Sequence, residues 1–214
     1  MDGTRTGAGN RALMAGAVML GWIALLWALE AVDLATGHGL DSHGISPREP
    51  GELLDIVPAA FLHDGWAHVS SNSVPLLVLG FIAALGGLRR FAGVVLTVIV
   101  TGGLGVWLVA PANTVTLGAS GVVFGLFGYL LVRGFVDRRP LDVVVGLVVA
   151  AVYGSLLQGV LPTDPGVSWQ GHIFGLIGGV LAAFALRRST RAGLRPSGPA
   201  PADPAARTRT GRFR

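Results

Sequence analysis

Two side chains in apolar surroundings carry the chemistry that this chain offers: the hydroxyl of Ser120 and the imidazole of His172. Ser120 heads the run Leu117-Gly118-Ala119-Ser120-Gly121-Val122-Val123-Phe124-Gly125-Leu126-Phe127-Gly128, and the first charge after it is Arg133. A serine so placed ordinarily returns its hydroxyl to a carbonyl one turn back. A second stretch argues for more. Trp169-Gln170-Gly171-His172-Ile173-Phe174-Gly175 sets an ionisable ring at the head of another apolar run. Ionisable groups inside a membrane are costly and mark functional sites. A serine hydroxyl becomes a nucleophile when a base takes its proton, and imidazole is suited to that task at neutral pH.

The elements that must position these groups are membrane helices. Of 214 residues, 51% are hydrophobic and 13% charged, with a mean hydropathy of +0.63. Soluble domains carry about 25% charged residues. The chain has no cysteine, which excludes a disulfide frame and a thiolate metal site. Six apolar segments, 12–34, 68–88, 91–110, 118–136, 141–160 and 169–187, approach the ~20 residues that span a bilayer core. Lipid forces each into a helix, because backbone groups there find no water. The first run is too long for the hydrophobic part of a signal peptide. Residues 1–11 read as a loose cytoplasmic segment, 12–187 as one six-helix domain, and 188–214 as a disordered basic tail.

All 16 basic residues are arginines, and they sort by side. Arg5, Arg11, Arg89, Arg90, Arg133, Arg138, Arg139, Arg187 and the tail fall on one face of an alternating bundle, and the opposite loops hold only Arg48. The positive-inside rule makes both termini cytoplasmic. The net charge of +4 is therefore a topology signal, not a sign of a nucleic-acid partner. The long outer loop, 35–67, mixes acidic residues with Leu53-Leu54 and Ile56-Val57, and reads as an element lying partly in the interface. Glu30 and Asp33 read as solvated or snorkelling carboxylates near the outer surface.

Counting places the two reactive groups at one depth. Ser120 lies thirteen residues above Arg133, about 20 Å, and His172 fifteen above Arg187, about 22 Å. The fourth helix is then short, and Pro111–Gly118 must descend as non-helical chain, leaving Ser120 at a helix N-terminus where the dipole favours negative charge. Gly171, Gly175 and Gly179 recur every four residues, and Gly121 and Gly125 repeat the spacing, so the two helices can approach closely. His68 and Asn72 share a face at the head of the second helix, near the depth of Ser120. They read as donors to an oxyanion, with the Ser120 backbone N–H as a further one. The plainer alternative is an interfacial histidine and an interhelical polar contact.

At these residues the sequence resembles the rhomboid family of intramembrane serine proteases. Gly118-Ala119-Ser120-Gly121 matches its GxSG motif, His172 with Gly175 and Gly179 its histidine helix, and His68-Val69-Ser70-Ser71-Asn72 its HxxxN motif. The resemblance covers about residues 55 to 187. It implies an all-α membrane protein, a six-transmembrane-helix rhomboid-like bundle. It also implies a serine endopeptidase with Ser120 as nucleophile, His172 as general base, and His68 and Asn72 at the oxyanion. The family stacks a tyrosine, four residues after the serine, on the histidine; here that residue is Phe124. His63 matches a position where many members carry a histidine, and is expected to support the site. The usual Trp-Arg pair of the outer loop is absent, with Arg48 as a partial replacement. The expected substrates are single-span membrane proteins, cut near their extracytoplasmic end in a bacterial plasma membrane.

No acidic residue is near His172 in sequence, so the expected site is a dyad, and neither metal nor cofactor is called for. A metalloprotease would show H-E-x-x-H, which is missing. An aspartyl protease would need two mid-helix aspartates, and a transporter would gather polar groups at the midplane. A catalytically weak, client-binding membrane protein on the same scaffold is the alternative.

Overall fold

The computed structural model describes residues 3–163 and 166–187. The expected basic tail, 188–214, lies outside the described residues. Among those residues the fold is all α, with one isolated antiparallel bridge between Ile45 and Thr116. The α-helices are α1 (Gly3–Ala35), α2 (Ile56–Ala59), α3 (Trp66–Ala84), α4 (Leu88–Val109), α5 (Ser120–Val136), α6 (Pro140–Tyr153) and α7 (Trp169–Ala185). Among the described residues, four stretches are long and apolar enough to cross a membrane: Gly7–Ala35, Trp66–Ala84, Leu88–Val109 and Pro140–Val160. Helices α5 and α7 are apolar but have 17 residues each, about 25 Å. All six expected segments are therefore helical, and the molecule is a membrane helical bundle.

Two boundaries differ from expectation. Helix α1 starts at Gly3, so most of the polar stretch expected to be loose forms its first turns. No proline interrupts that stretch, and helix once nucleated propagates cheaply. The fifth segment is α-helical only to Tyr153 and tightens into a 3₁₀ stretch over Gly154–Val160.

The short helices are the interior of the bundle. Every residue of α5 from Val122 to Leu130 is buried, and α7 lies between α5 and α4. The approach is as close as main chains allow. A Cβ on Gly175 would overlap the Gly121 carbonyl, and one on Gly179 the Gly125 carbonyl. Dispersion between backbones, which lipid cannot match, holds this seam. The expected third glycine of the stripe behaves differently. A Cβ on Gly171 would make only ordinary contacts, 3.4 Å to Ser168 and 3.5 Å to Val106.

The outer loop is pinned to the bundle. Ile45 and Thr116 exchange backbone hydrogen bonds of 2.8 and 3.1 Å. Arg48 donates to the carbonyls of Ala110, at 2.9 Å, and Leu108, at the C-terminal end of α4, where a cation suits the dipole. Ile56 fills the space over Gly103. Leu54 and Val57 stay exposed.

The carboxylates at the end of α1 correct the sequence reading. Glu30 and Asp33 are each only 2% exposed, so neither is solvated or snorkelling. Asp33 instead closes the following turn, accepting from the Leu40 N–H at 2.8 Å and pairing with His38 at 2.9 Å. At the opposite end, Arg133 is buried and donates to Asp142 at 2.9 Å, and Arg90 forks onto Asp137. Both guanidinium groups lie over the Tyr129 ring, 5.4 and 5.7 Å from its centroid. These arginines join α4, α5 and α6.

Candidate active site

The chain descends from the end of α4 as non-helical backbone, and α5 begins at Ser120, as the sequence requires. Two features aim the serine. Gly118 takes φ +130°, a region side chains avoid. A Cβ there would come within 2.8 Å of the His68 ring, so only glycine lets histidine, backbone and serine converge. Gly118 N–H donates to the Ala59 carbonyl at 2.8 Å, and Ala119 N–H to His63 Nε2 at 3.3 Å. His63 is buried, and that burial, with His68 beside it, pushes its pKa down to about 4. It is thus a neutral acceptor that holds the turn before the serine. This is the supporting role expected of it.

Helix α7 presents His172 to the serine. Ser168 caps the helix, accepting from the Gly171 N–H at 3.3 Å. His172 Nε2 lies 2.9 Å from Ser120 Oγ. His172 Nδ1 lies 2.8 Å from the Gly159 carbonyl oxygen. A carbonyl only accepts, so Nδ1 carries the hydrogen and Nε2 offers its lone pair to the serine hydroxyl. Phe124 stacks on the imidazole with centroids 4.0 Å apart and planes 8° from parallel. The ring is therefore fixed in tautomer by a main-chain carbonyl and in tilt by an aromatic face. Sequence reading placed Phe124 against the histidine through the family resemblance. It missed Gly159, which acts through its backbone and leaves no mark in residue type.

A cavity of about 1330 Å³ opens over these groups, and Ser120, His172, Phe124, His68 and Asn72 all line it. The Asn72 amide is 6% exposed and donates one hydrogen to the His68 carbonyl at 3.1 Å. A side-chain amide carries a second hydrogen that can donate. His68 packs edge-on against His63, 5.0 Å between centroids. The first N–H groups of α5 have no acceptor within the helix. Ala119 N–H is already taken by His63, so the Ser120 N–H is the nearest main-chain donor. Helix dipole, amides and imidazole thus surround a point where negative charge could develop. Ser120, His172, His68, Asn72 and Phe124 meet at this site; Gly118, Gly121 and Gly171 flank it, and Gly175 and Gly179 lie along the α5–α7 seam.

The chain is similar to known proteins. The Rhomboid domain family matches residues 50–189. An uncharacterized protein of Mycobacterium tuberculosis is 40% identical over 196 residues, covering 88% of this chain and 82% of its own. The rhomboid protease GluP of Bacillus subtilis is 30% identical over 138 residues, 64% of this chain and 26% of its own. A rhomboid-like protease 5 of Toxoplasma gondii is 36% identical over 156 residues, 68% of this chain and 18% of its own.

Proposed function

The chain is an integral membrane protein of the rhomboid family, and from that premise we propose that it is an intramembrane serine endopeptidase working by a Ser120–His172 dyad. The observation that carries this reading is the 2.9 Å Ser120–His172 contact, with the opposite imidazole nitrogen held by the Gly159 carbonyl.

The steps follow from the donors and acceptors. His172 Nε2 takes the Ser120 proton as Oγ attacks the scissile carbonyl. The imidazolium that forms keeps its Nδ1–H on Gly159, then gives the Nε2 proton to the leaving amine. The acyl-enzyme is released by water, activated by the same nitrogen. The oxyanion is stabilised by the Ser120 N–H, the Asn72 amide and His68. The cavity admits water to a site inside the bundle, which hydrolysis requires.

The bundle has six spans with both termini cytoplasmic, a reading supported by the sorting of the arginines. The site then opens to the extracytoplasmic side. Its substrates are single-span membrane proteins cut near that end of their helix, in a bacterial plasma membrane. The test uses purified chain in detergent with a fluorophosphonate probe and a tagged membrane-helix substrate. Wild-type chain should be labelled and should cut. Ser120→Ala should do neither, and His172→Ala should lose turnover to background. Turnover near wild type in folded Ser120→Ala would overturn the assignment.

A further inference from the structure

At the outer end of α1 the chain turns back sharply. Gly37 and His38 both take positive φ, +69° and +63°, and the His38 N–H donates to the Asp33 carbonyl at 2.8 Å. The fold thereby gathers three metal-ligand groups. Asp33 Oδ2 lies 2.9 Å from His38 Nδ1, and Asp41 Oδ2 lies 3.6 Å from the same nitrogen. The three ligand atoms all fall within 4.8 Å of one another. Asp33 uses its other oxygen on the Leu40 N–H, which fixes the carboxylate in place.

A second observation points to a ligand. Glu30 stands one turn before Asp33 on the same face of α1 and is 2% exposed. Its Oε2 is shielded from solvent and has no hydrogen-bond partner among the described residues. Asp41 Oδ1 is likewise buried without a partner. Buried carboxylate oxygens are ordinarily satisfied, and leaving them bare is costly.

We propose that Asp33, His38 and Asp41 form a binding site for a first-row divalent metal cation, Zn²⁺ or Mn²⁺, with Glu30 as the outer carboxylate that balances its charge. The mixed imidazole and carboxylate donors select this class over Ca²⁺ or Mg²⁺, which favour oxygen alone. Zinc bonds of about 2.0–2.1 Å place tetrahedral ligands about 3.4 Å apart, and the 2.9 and 3.6 Å separations bracket that value. The cation replaces the hydrogen on His38 Nδ1, and the imidazole keeps its proton on Nε2. The site is distinct from the dyad but adjoins it. Asp41 and Ser42 line the cavity over Ser120, so the cation clamps part of the rim to α1.

The test is calorimetric titration of ZnCl₂ and MnCl₂ into the full chain in detergent after removal of metal with EDTA, with thermal unfolding in parallel. One cation should bind per chain and raise Tm. His38→Ala and Asp41→Asn should each abolish binding while melting like the parent in EDTA. Glu30→Gln should weaken it by about 10–100-fold. His43→Ala and His172→Ala should bind as the parent does. Absence of saturable binding to the parent overturns the proposal. So does binding that survives both His38→Ala and Asp41→Asn, or binding that His172→Ala removes, which would move the cation to the cavity histidines.

Discussion

The outer and inner ends of the α5–α7 pair are built from the same two helices and differ in almost every physical respect. At the outer end lie Ser120, His172, Phe124 and an open cavity, with Asn72 and His68 across it. The polar groups there are held by main-chain partners and stacking rather than by ion pairs. At the inner end the backbones touch through Gly179 and Gly125, and below them Arg133 with Asp142 and Arg90 with Asp137 enclose Tyr129. The difference teaches how a wet site is kept rigid inside lipid. A cavity cannot hold its own walls at hydrogen-bond precision, because it lacks the packing that does so. The glycine seam and the arginine clamps supply that constraint from below.

If this division of labour holds, damage at the outer end should reduce rate, and damage at the inner end should reduce stability. The largest expected effect beyond the dyad itself is at Asn72. Asn72→Ala should lower kcat by about 10²–10³, the cost of one oxyanion donor, with little change in Tm. A fall in Tm with kcat of the folded fraction intact would make Asn72 an interhelical contact. Next is the seam where it meets the site. Gly175→Leu must push against the Gly121 carbonyl. A displacement of about 1 Å at the dyad costs about 10²-fold in kcat. Exposed Ile177→Leu on the same helix should do nothing measurable, and equal effects would mean that the seam does not set the dyad.

A smaller effect is expected at Phe124. Phe124→Leu removes a stacked face worth about 0.5–1.5 kcal/mol, so kcat should fall about 2–10-fold. The imidazole would still be held by Gly159. Smallest of all on rate is Asp142→Asn. It breaks the pair with Arg133 and should cost about 1–3 kcal/mol of stability, read by thermal unfolding, while kcat of the folded fraction stays unchanged. A rate loss as large as that of Phe124→Leu would show that the inner clamp reaches the site.

These regions were not equally legible in the sequence. Ser120 and His172 could be put at one depth by counting from Arg133 and Arg187, because a helix has a fixed rise and lipid permits little else. The short fourth helix and its non-helical approach followed from the same count. Gly175 and Gly179 declared themselves by spacing. What was hidden is what residue type does not encode. Gly159 acts through a carbonyl, and its position depends on the fifth segment tightening to 3₁₀ geometry at Gly154, which its apolar composition does not announce. Glu30 and Asp33 were misread because depth along a helix is countable, whereas burial by a loop that folds back over it is not.

The Gly159 carbonyl has a consequence for how such a site withstands mutation. A carboxylate in that place could be deleted by a single base change. A peptide oxygen belongs to every residue and can only be moved, so this third participant is immune to substitution and invisible to a scan that looks for lost functional groups. An alanine at 159 would not remove the acceptor. Its Cβ would instead sit 2.9 Å from Phe124 Cζ and 3.0 Å from His172 Nδ1, and the resulting defect would read as steric. The base thus inherits its tautomer from the path of the chain. Within the proton relay itself, only the side chains of Ser120 and His172 are left exposed to genetic loss.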